Sequence, residues 1–350
     1  MNKFICIVMF FNLTVFSFSN DTRTILGSSV QIIDNENTNI TMQEEIINIR
    51  LYRDFYEVDV TFYFINTGET ETISLGFPVE ALFQNFSSEK EWAILSDFRS
   101  YINNELIQRY TIKEEIKYVT NPPIAPYDYV IYTKWYIREV IFPGNSTTIS
   151  RVTYKAPYGH IGFDLTGGYI FGTGYNWKGP IGKMVINIIH DDDIFLDRFT
   201  IGRYTKEEIV DYFTWKESGM YNFEFYNIEP IISDKIRFYI SKCNMLNAPY
   251  NEFGDSFLGW WVWDEQLLYE NVSDLKLYTR NQIRLFINFF YAIRGYNFQN
   301  QRYKDFFTGL KNINNENGKY EINPNFSENN FNEYEKKNID YLLRLEKMIP

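Results

Sequence analysis

The hydrophobic residues of this 350-residue chain change their period once, and that change limits the folds open to it. From about residue 44 to 245, apolar and polar positions mostly alternate, as they do on a strand with one buried face. Beyond about residue 276 they recur three and four positions apart, the spacing of one buried helical stripe. The expectation is therefore an α+β chain, with an N-terminal, mainly β, sandwich-like domain followed by a small C-terminal helical domain.

In the first region Val58, Val60, Phe62 and Phe64 alternate with Asp59, Thr61 and Tyr63. Residues 45–51 should pair with that strand across Arg53, Asp54 and Phe55. Residues 99–107 read as a hairpin, because Asn103 and Asn104 tolerate the positive φ of a tight turn. Further strands are expected at 129–142, 147–154 and 184–189. A second hairpin, 213–215 with 221–225, should turn at Ser218 and Gly219. Short strands separated by turn signals at this spacing favour a sandwich.

In the second region Thr279 and Gln282 stand three apart, as the hydroxyl and amide of a capping box do, so a helix should start at about residue 280. Ile283, Phe286, Ile287 and Phe290 form its apolar stripe, and Gly295 ends it at a position suited to positive φ. Phe298, Tyr303, Phe306 and Phe307 suggest a second, short helix. A last one should run through 332–348, carrying Glu335, Asn338, Ile339, Leu342, Leu343 and Glu346. The segment Ile287 to Phe298, with these flanking residues, resembles the YARHG domain of exported bacterial proteins, named for its Tyr-Ala-Arg-His-Gly motif. Tyr291, Ala292 and Gly295 match the motif, whereas Ile293 and Arg294 occupy its Arg and His slots. The resemblance covers 276–350 and implies a compartment and a helical architecture but no reaction. It makes Tyr291 and Arg294 candidates for ligand contact, with helix-end packing the other reading of the same residues.

The N-terminus begins Met1-Asn2-Lys3, runs through an almost wholly apolar 4–16, and reaches Ser17-Phe18-Ser19, the order of a secretory signal with a small-residue cleavage site. The expected division is a signal peptide at 1–19, a β-rich domain at 20–246, an aromatic-rich junction at 247–275 and the helical YARHG-like domain at 276–350. No later segment reaches the roughly 18 to 20 apolar residues of a spanning helix, so the mature chain is expected to be extracytoplasmic without a membrane span. Cleavage would remove Cys6 and leave Cys243 alone, so no internal disulfide is expected. The formal net charge is −11, and loss of Lys3 makes it more negative still. With no basic cluster to neutralise phosphates, nucleic acid is not an expected partner.

Motifs for chemistry are sparse. The two histidines, His160 and His190, are too few for most histidine-rich metal sites. No His-Glu-x-x-His, paired Cys-x-x-Cys or calcium-loop pattern occurs, so neither metal nor cofactor is expected. The run His190-Asp191-Asp192-Asp193 offers oxygen ligands, but consecutive turn residues rarely converge on one ion, and it reads as a solvated loop. The glycine-rich stretch 158–177 has two readings. Its glycines would let a loop expose aromatic faces beside a carboxylate for a sugar or peptide, with His160, Asp164, Tyr169 and Trp177 as binding candidates. Otherwise these aromatics plug one end of the sandwich. Aromatic residues make up 19% of the chain, and with no catalytic signature this favours a non-enzymatic envelope protein that binds glycan or another protein. The alternative is a wall- or glycan-active hydrolase using paired carboxylates, with Asp164 and Asp193 as possible members.

Overall fold

The computed structural model describes residues 24–33, 38–83, 95–119, 129–161, 164–192, 194, 196–202, 204, 213–231, 233–241, 277–309 and 320–350. The expected signal peptide, the junction at 247–275 and the lone Cys243 lie outside the described residues. Among the described residues the architecture is α+β, a two-sheet β body followed by three α-helices.

In chain order the described strands begin with β1 (Thr24–Ser28), β2 (Gln31–Ile32), β3 (Ile40–Leu51), β4 (Phe55–Asn66), β5 (Glu71–Phe83) and β6 (Ser96–Ile102). They continue with β7 (Glu105–Leu106), β8 (Thr111–Val119), β9 (Tyr129–Phe142), β10 (Ser146–Pro157), β11 (Gly159–Ile161) and β12 (Asp164–Ile170). The last are β13 (Ile181–His190), β14 (Leu196–Ile201), β15 (Phe213–Glu217), β16 (Met220–Ile228) and β17 (Lys235–Ser241). One sheet runs β14-β17-β12-β1-β5-β9-β8, with β11 paired to β12 and β2 to β5. The other runs β15-β16-β13-β3-β4-β10-β6-β7. Most neighbours are antiparallel, but β1 with β12 and β3 with β13 are parallel.

The alternating residues of β4 do what their period requires. Val58, Val60, Phe62 and Phe64 are buried between the sheets, and β4 pairs with β3 and β10 along its length. Asn103 and Asn104 both have positive φ, 48° and 70°, at the β6–β7 turn. Gly219, at φ 77°, turns β15 into β16.

The glycine-rich stretch departs from its exposed-loop reading. Residues 164–170 form strand β12, which is paired on both sides by β17 and β1. Its glycines serve close approach rather than turning. A Cβ on Gly168 would lie 2.0 Å from the Ile236 carbonyl oxygen, and one on Gly167 would meet Phe238 and Tyr56 at 2.6 Å.

The helices are α1 (Arg280–Ile293), α2 (Gln301–Gly309) and α3 (Glu333–Met348). The capping box is formed: Gln282 N donates to Thr279 Oγ1 at 3.2 Å, and Thr279 N donates to Gln282 Oε1 at 2.9 Å. Gly295 follows α1 at φ 75°, where a side chain would also press on Asn323 at 2.8 Å. Ile283, Phe286, Phe290, Phe307 and Leu342 belong to a hydrophobic core separate from that of the sheets.

Candidate functional site

The β body and the helices meet at the N-terminus of α1. Strand β13 ends at His190, and the turn after it carries Asp192 onto the first turn of the helix. Asp192 Oδ1 accepts from Thr279 Oγ1 and Oδ2 from Asn281 Nδ2, both at 2.6 Å. Gln282 Nε2 donates to the backbone oxygens of Asp192 at 3.0 Å and Ile194 at 2.8 Å. From the β15–β16 turn, Ser218 Oγ accepts from Arg280 N at 3.1 Å. The Tyr221 hydroxyl bridges the Leu277 carbonyl and His190 Nε2. Burial lowers the pKa of the His190 imidazole from its ordinary value. A carboxylate at a helix N-terminus sits where the free N–H groups and the helix dipole favour negative charge. The run expected to be a solvated loop is thus a docking element, although the side chain of Asp193 is outside the described residues.

Beside this contact lies a shallow, open pocket with a cavity volume of about 20 Å³, lined by Asp192, Asn281, Gln282, Leu285, Arg302, Tyr303 and Phe306. Helix α1 contributes three of these residues from its first two turns. Helix α2 contributes Arg302, Tyr303 and Phe306, spaced so that they share a face. The wall therefore combines one carboxylate, two carboxamides and a guanidinium with two aromatic rings and a leucine. Gln282 and Asn281 donate to the junction itself, which leaves the Arg302 guanidinium and the remaining lone pairs of Asp192 to meet a polar ligand beside the two rings. The enclosed part is room for about one water, so a larger ligand would lie across the open mouth of the pocket.

The residues singled out in the sequence fall elsewhere. Tyr169 is fully buried, its hydroxyl donating to Glu45 Oε1 at 2.8 Å. Trp177 is 4% exposed, donates from Nε1 to the Val30 carbonyl at 3.1 Å, and packs its ring against Phe64 and Phe142. Neither presents a face to solvent, and both pack within the core between the sheets. His160 and Asp164 take part in the β11–β12 pairing, His160 opposite Leu165 and Ile161 opposite Asp164, and their side chains are outside the described residues. Tyr291 donates to Glu328 Oε1 at 2.9 Å and packs against Tyr296, Phe326 and Phe331. Burial, helped by Glu328, pushes its phenol up to about 12.

Arg294 departs from the ligand-contact reading. Its Nε and Nη2 donate to Glu335 Oε1 and Oε2 at 3.1 and 2.9 Å, a bidentate pair. Glu335 Oε2 also accepts from Asn332 N at 2.7 Å and so caps α3. Arg294 is thus a clamp tying the end of α1 to the start of α3.

Two features escape sequence reading. The junction pocket draws on Asp192, nearly 90 positions from its partners Thr279 and Asn281. The other is Glu45, a carboxyl at 0% exposure within the alternating pattern of β3. Burial pushes it up to about 7 despite the hydrogen bond from Tyr169.

No protein-family model matches the chain, and no curated protein matches it in sequence. Among solved structures, it is similar to a Legionella pneumophila protein described as a candidate nutrient binding protein, at 17% identity and a TM-score of 0.49, over 93% of this chain and 100% of that one. It is also similar to an M1 zinc metallopeptidase from Deinococcus radiodurans, at 11% identity and a TM-score of 0.28, over 57% of this chain and 42% of the peptidase. Yeast LTA4 hydrolase in complex with bestatin matches at 8% identity and a TM-score of 0.26, over 57% of this chain and 28% of that one. Scores this low assign the chain neither a family nor an activity.

Proposed function

We propose that this chain is an exported, non-enzymatic binding protein that holds a glycan unit in the pocket between its β body and a YARHG-like helical module. The observation that carries the reading is the lining of that pocket, where Tyr303 and Phe306 stand beside Asp192, Asn281, Gln282 and Arg302. A pyranose ring has an apolar face and a rim of hydroxyls, and each half has a matching surface there. Planar carboxylate, amide and guanidinium groups recognise hydroxyls in pairs, and an aromatic ring covers the C–H face. A sugar unit would lie across the open mouth of the pocket, against Tyr303 and Phe306, with the rest of a chain extending into solvent. The hydrolase alternative requires two carboxyl groups about 5 to 9.5 Å apart across one cleft. The pocket lining contributes a single one, Asp192.

The test is isothermal titration calorimetry of the full mature chain against a panel of neutral, N-acetylated and acidic oligosaccharides, repeated with Tyr303→Ala and Arg302→Ala. Binding that is present in the wild type and at least tenfold weaker in both variants is the expected result. A panel without a binder, or a binder indifferent to both substitutions, would refute the proposal.

A further inference from the structure

Strand β8 is at the end of its sheet. It pairs with β9 along its whole length, and no other strand lies beside it among the described residues. A sheet edge presents a row of backbone N–H and C=O groups that can template a further strand. From Thr111 to Tyr118 every residue of β8 is exposed. Lys113, Glu115 and Lys117 share one face of the strand, and Ile112, Glu114, Ile116 and Tyr118 share the other. Ile112 and Ile116 are 46% and 43% exposed, although Tyr132, opposite Ile116 on β9, is 8% exposed. The apolar inner face of the sheet therefore continues onto β8, beyond the cover that buries Tyr132.

A second copy added antiparallel to this edge is related to the first by a two-fold axis perpendicular to the sheet, so the contact uses the same strand twice. Residues on one face then meet residues on the same face, and the axis must pass through a single position of β8. Like charges directly opposite one another are destabilising and opposite charges favourable, which discriminates between positions. An axis at Glu114 sets that carboxylate against its own copy. One at Glu115 does the same and also opposes Lys113 to Lys117. Axes at Lys113 or Lys117 bring two ammonium groups together, and axes at Ile112 or Tyr118 overlap only a short end of each strand. An axis at Ile116 avoids all of these costs: Ile116 meets its own copy, Glu114 meets Tyr118, and Lys117 meets Glu115 on both sides of the axis. Lys117 forms no ion pair among the described residues, and Glu115 holds Lys113 of its own strand at 2.7 Å in an exposed pair that a second ammonium can join.

We propose that two copies of this chain associate through β8, paired antiparallel about a two-fold axis at Ile116, so that their sheets join into one. The contact is separate from the junction pocket and does not depend on a ligand there.

Sedimentation velocity of the full mature chain at low salt, from about 1 to 500 µM, tests this. One strand pair is a small interface, so a reversible dimer with a dissociation constant on the order of 10 µM is expected. Glu115→Lys and Lys117→Glu, each alone, set like charges opposite twice and should weaken association about tenfold or more. An equimolar mixture of the two variants restores both opposite-charge pairs in a mixed dimer and should associate as tightly as the wild type. Both positions are exposed, so the variants should keep the wild-type circular dichroism spectrum, and the wild-type series stands by itself if one does not fold. A wild type that stays monomeric throughout, a dimer indifferent to both single substitutions, or a mixture that associates no better than its components would overturn the proposal.

Discussion

Glu45→Gln should remove a weakness that appears as pH rises. The wild-type carboxyl is at 0% exposure, and burial moves it from 4.5 to about 7, so the folded protein keeps this proton over a range where the unfolded chain has lost it. The folded state then binds more protons than the unfolded state between about pH 4.5 and 7, and stability falls with rising pH across that window. A shift of about 2.5 units at 1.36 kcal/mol each gives about 3 kcal/mol lost by pH 8. Glutamine copies the protonated acid. Its Oε1 can accept from Tyr169 as Glu45 Oε1 does, and its Nε2 occupies the place of Oε2, where the buried Ser29 hydroxyl can accept from it. The assay is urea unfolding of wild type and variant at half-unit steps from pH 4.5 to 8. Their stability difference is the quantity to follow, since other titrating groups cancel in it. His190 is one of these: burial depresses its pKa, and its contribution is lost as pH falls through its folded value. The variant should gain about 3 kcal/mol on the wild type across the series. A difference that stays constant with pH would show that Glu45 ionises in the fold as readily as in water.

Three further outcomes follow from the geometry. Arg294→Ala, Glu335→Gln and the double variant, compared by chemical denaturation, should give a coupling energy of about 1 to 2 kcal/mol, because the pair is bidentate and only partly exposed; additive losses would mean no clamp. Trp177→Ala should destabilise the fold by about 3 to 5 kcal/mol and leave oligosaccharide affinity at permissive temperature unchanged, as the ring is enclosed between the sheets; weakened binding would return Trp177 to the site. N-terminal sequencing of exported protein should begin at Asn20, and a sequence that still starts at Met1 would refute the secretory reading.

What the sequence discloses depends on the range over which each signal acts. The alternation of Val58 to Phe64 and the capping box at Thr279 are local, so β4 and α1 are legible within a few residues of chain. Strand β12 is hidden because Gly167 and Gly168 carry the composition of a turn, and their purpose is set by Ile236 and Phe238 on a strand about 70 positions away. Strand β5 is similarly masked by Gly76 and Pro78. Among the candidate site residues, Arg294 reads as a free cation until Glu335, on another helix, is placed against it. Asp192 belongs to an acidic run whose neighbours suggest only solvation, and its role depends on three residues at the far end of the chain. In each case the missing information is a contact between distant segments, which local composition does not encode.

The claim that the junction pocket holds a sugar is tested most directly by mapping amide chemical shifts of the isotope-labelled mature chain during titration with the tightest oligosaccharide of the panel. The account predicts saturating shifts concentrated at Asp192, at 281–285 and at 302–306, with the interior of both sheets unmoved. Shifts clustered on another face, or a spectrum unchanged at millimolar sugar, would contradict it.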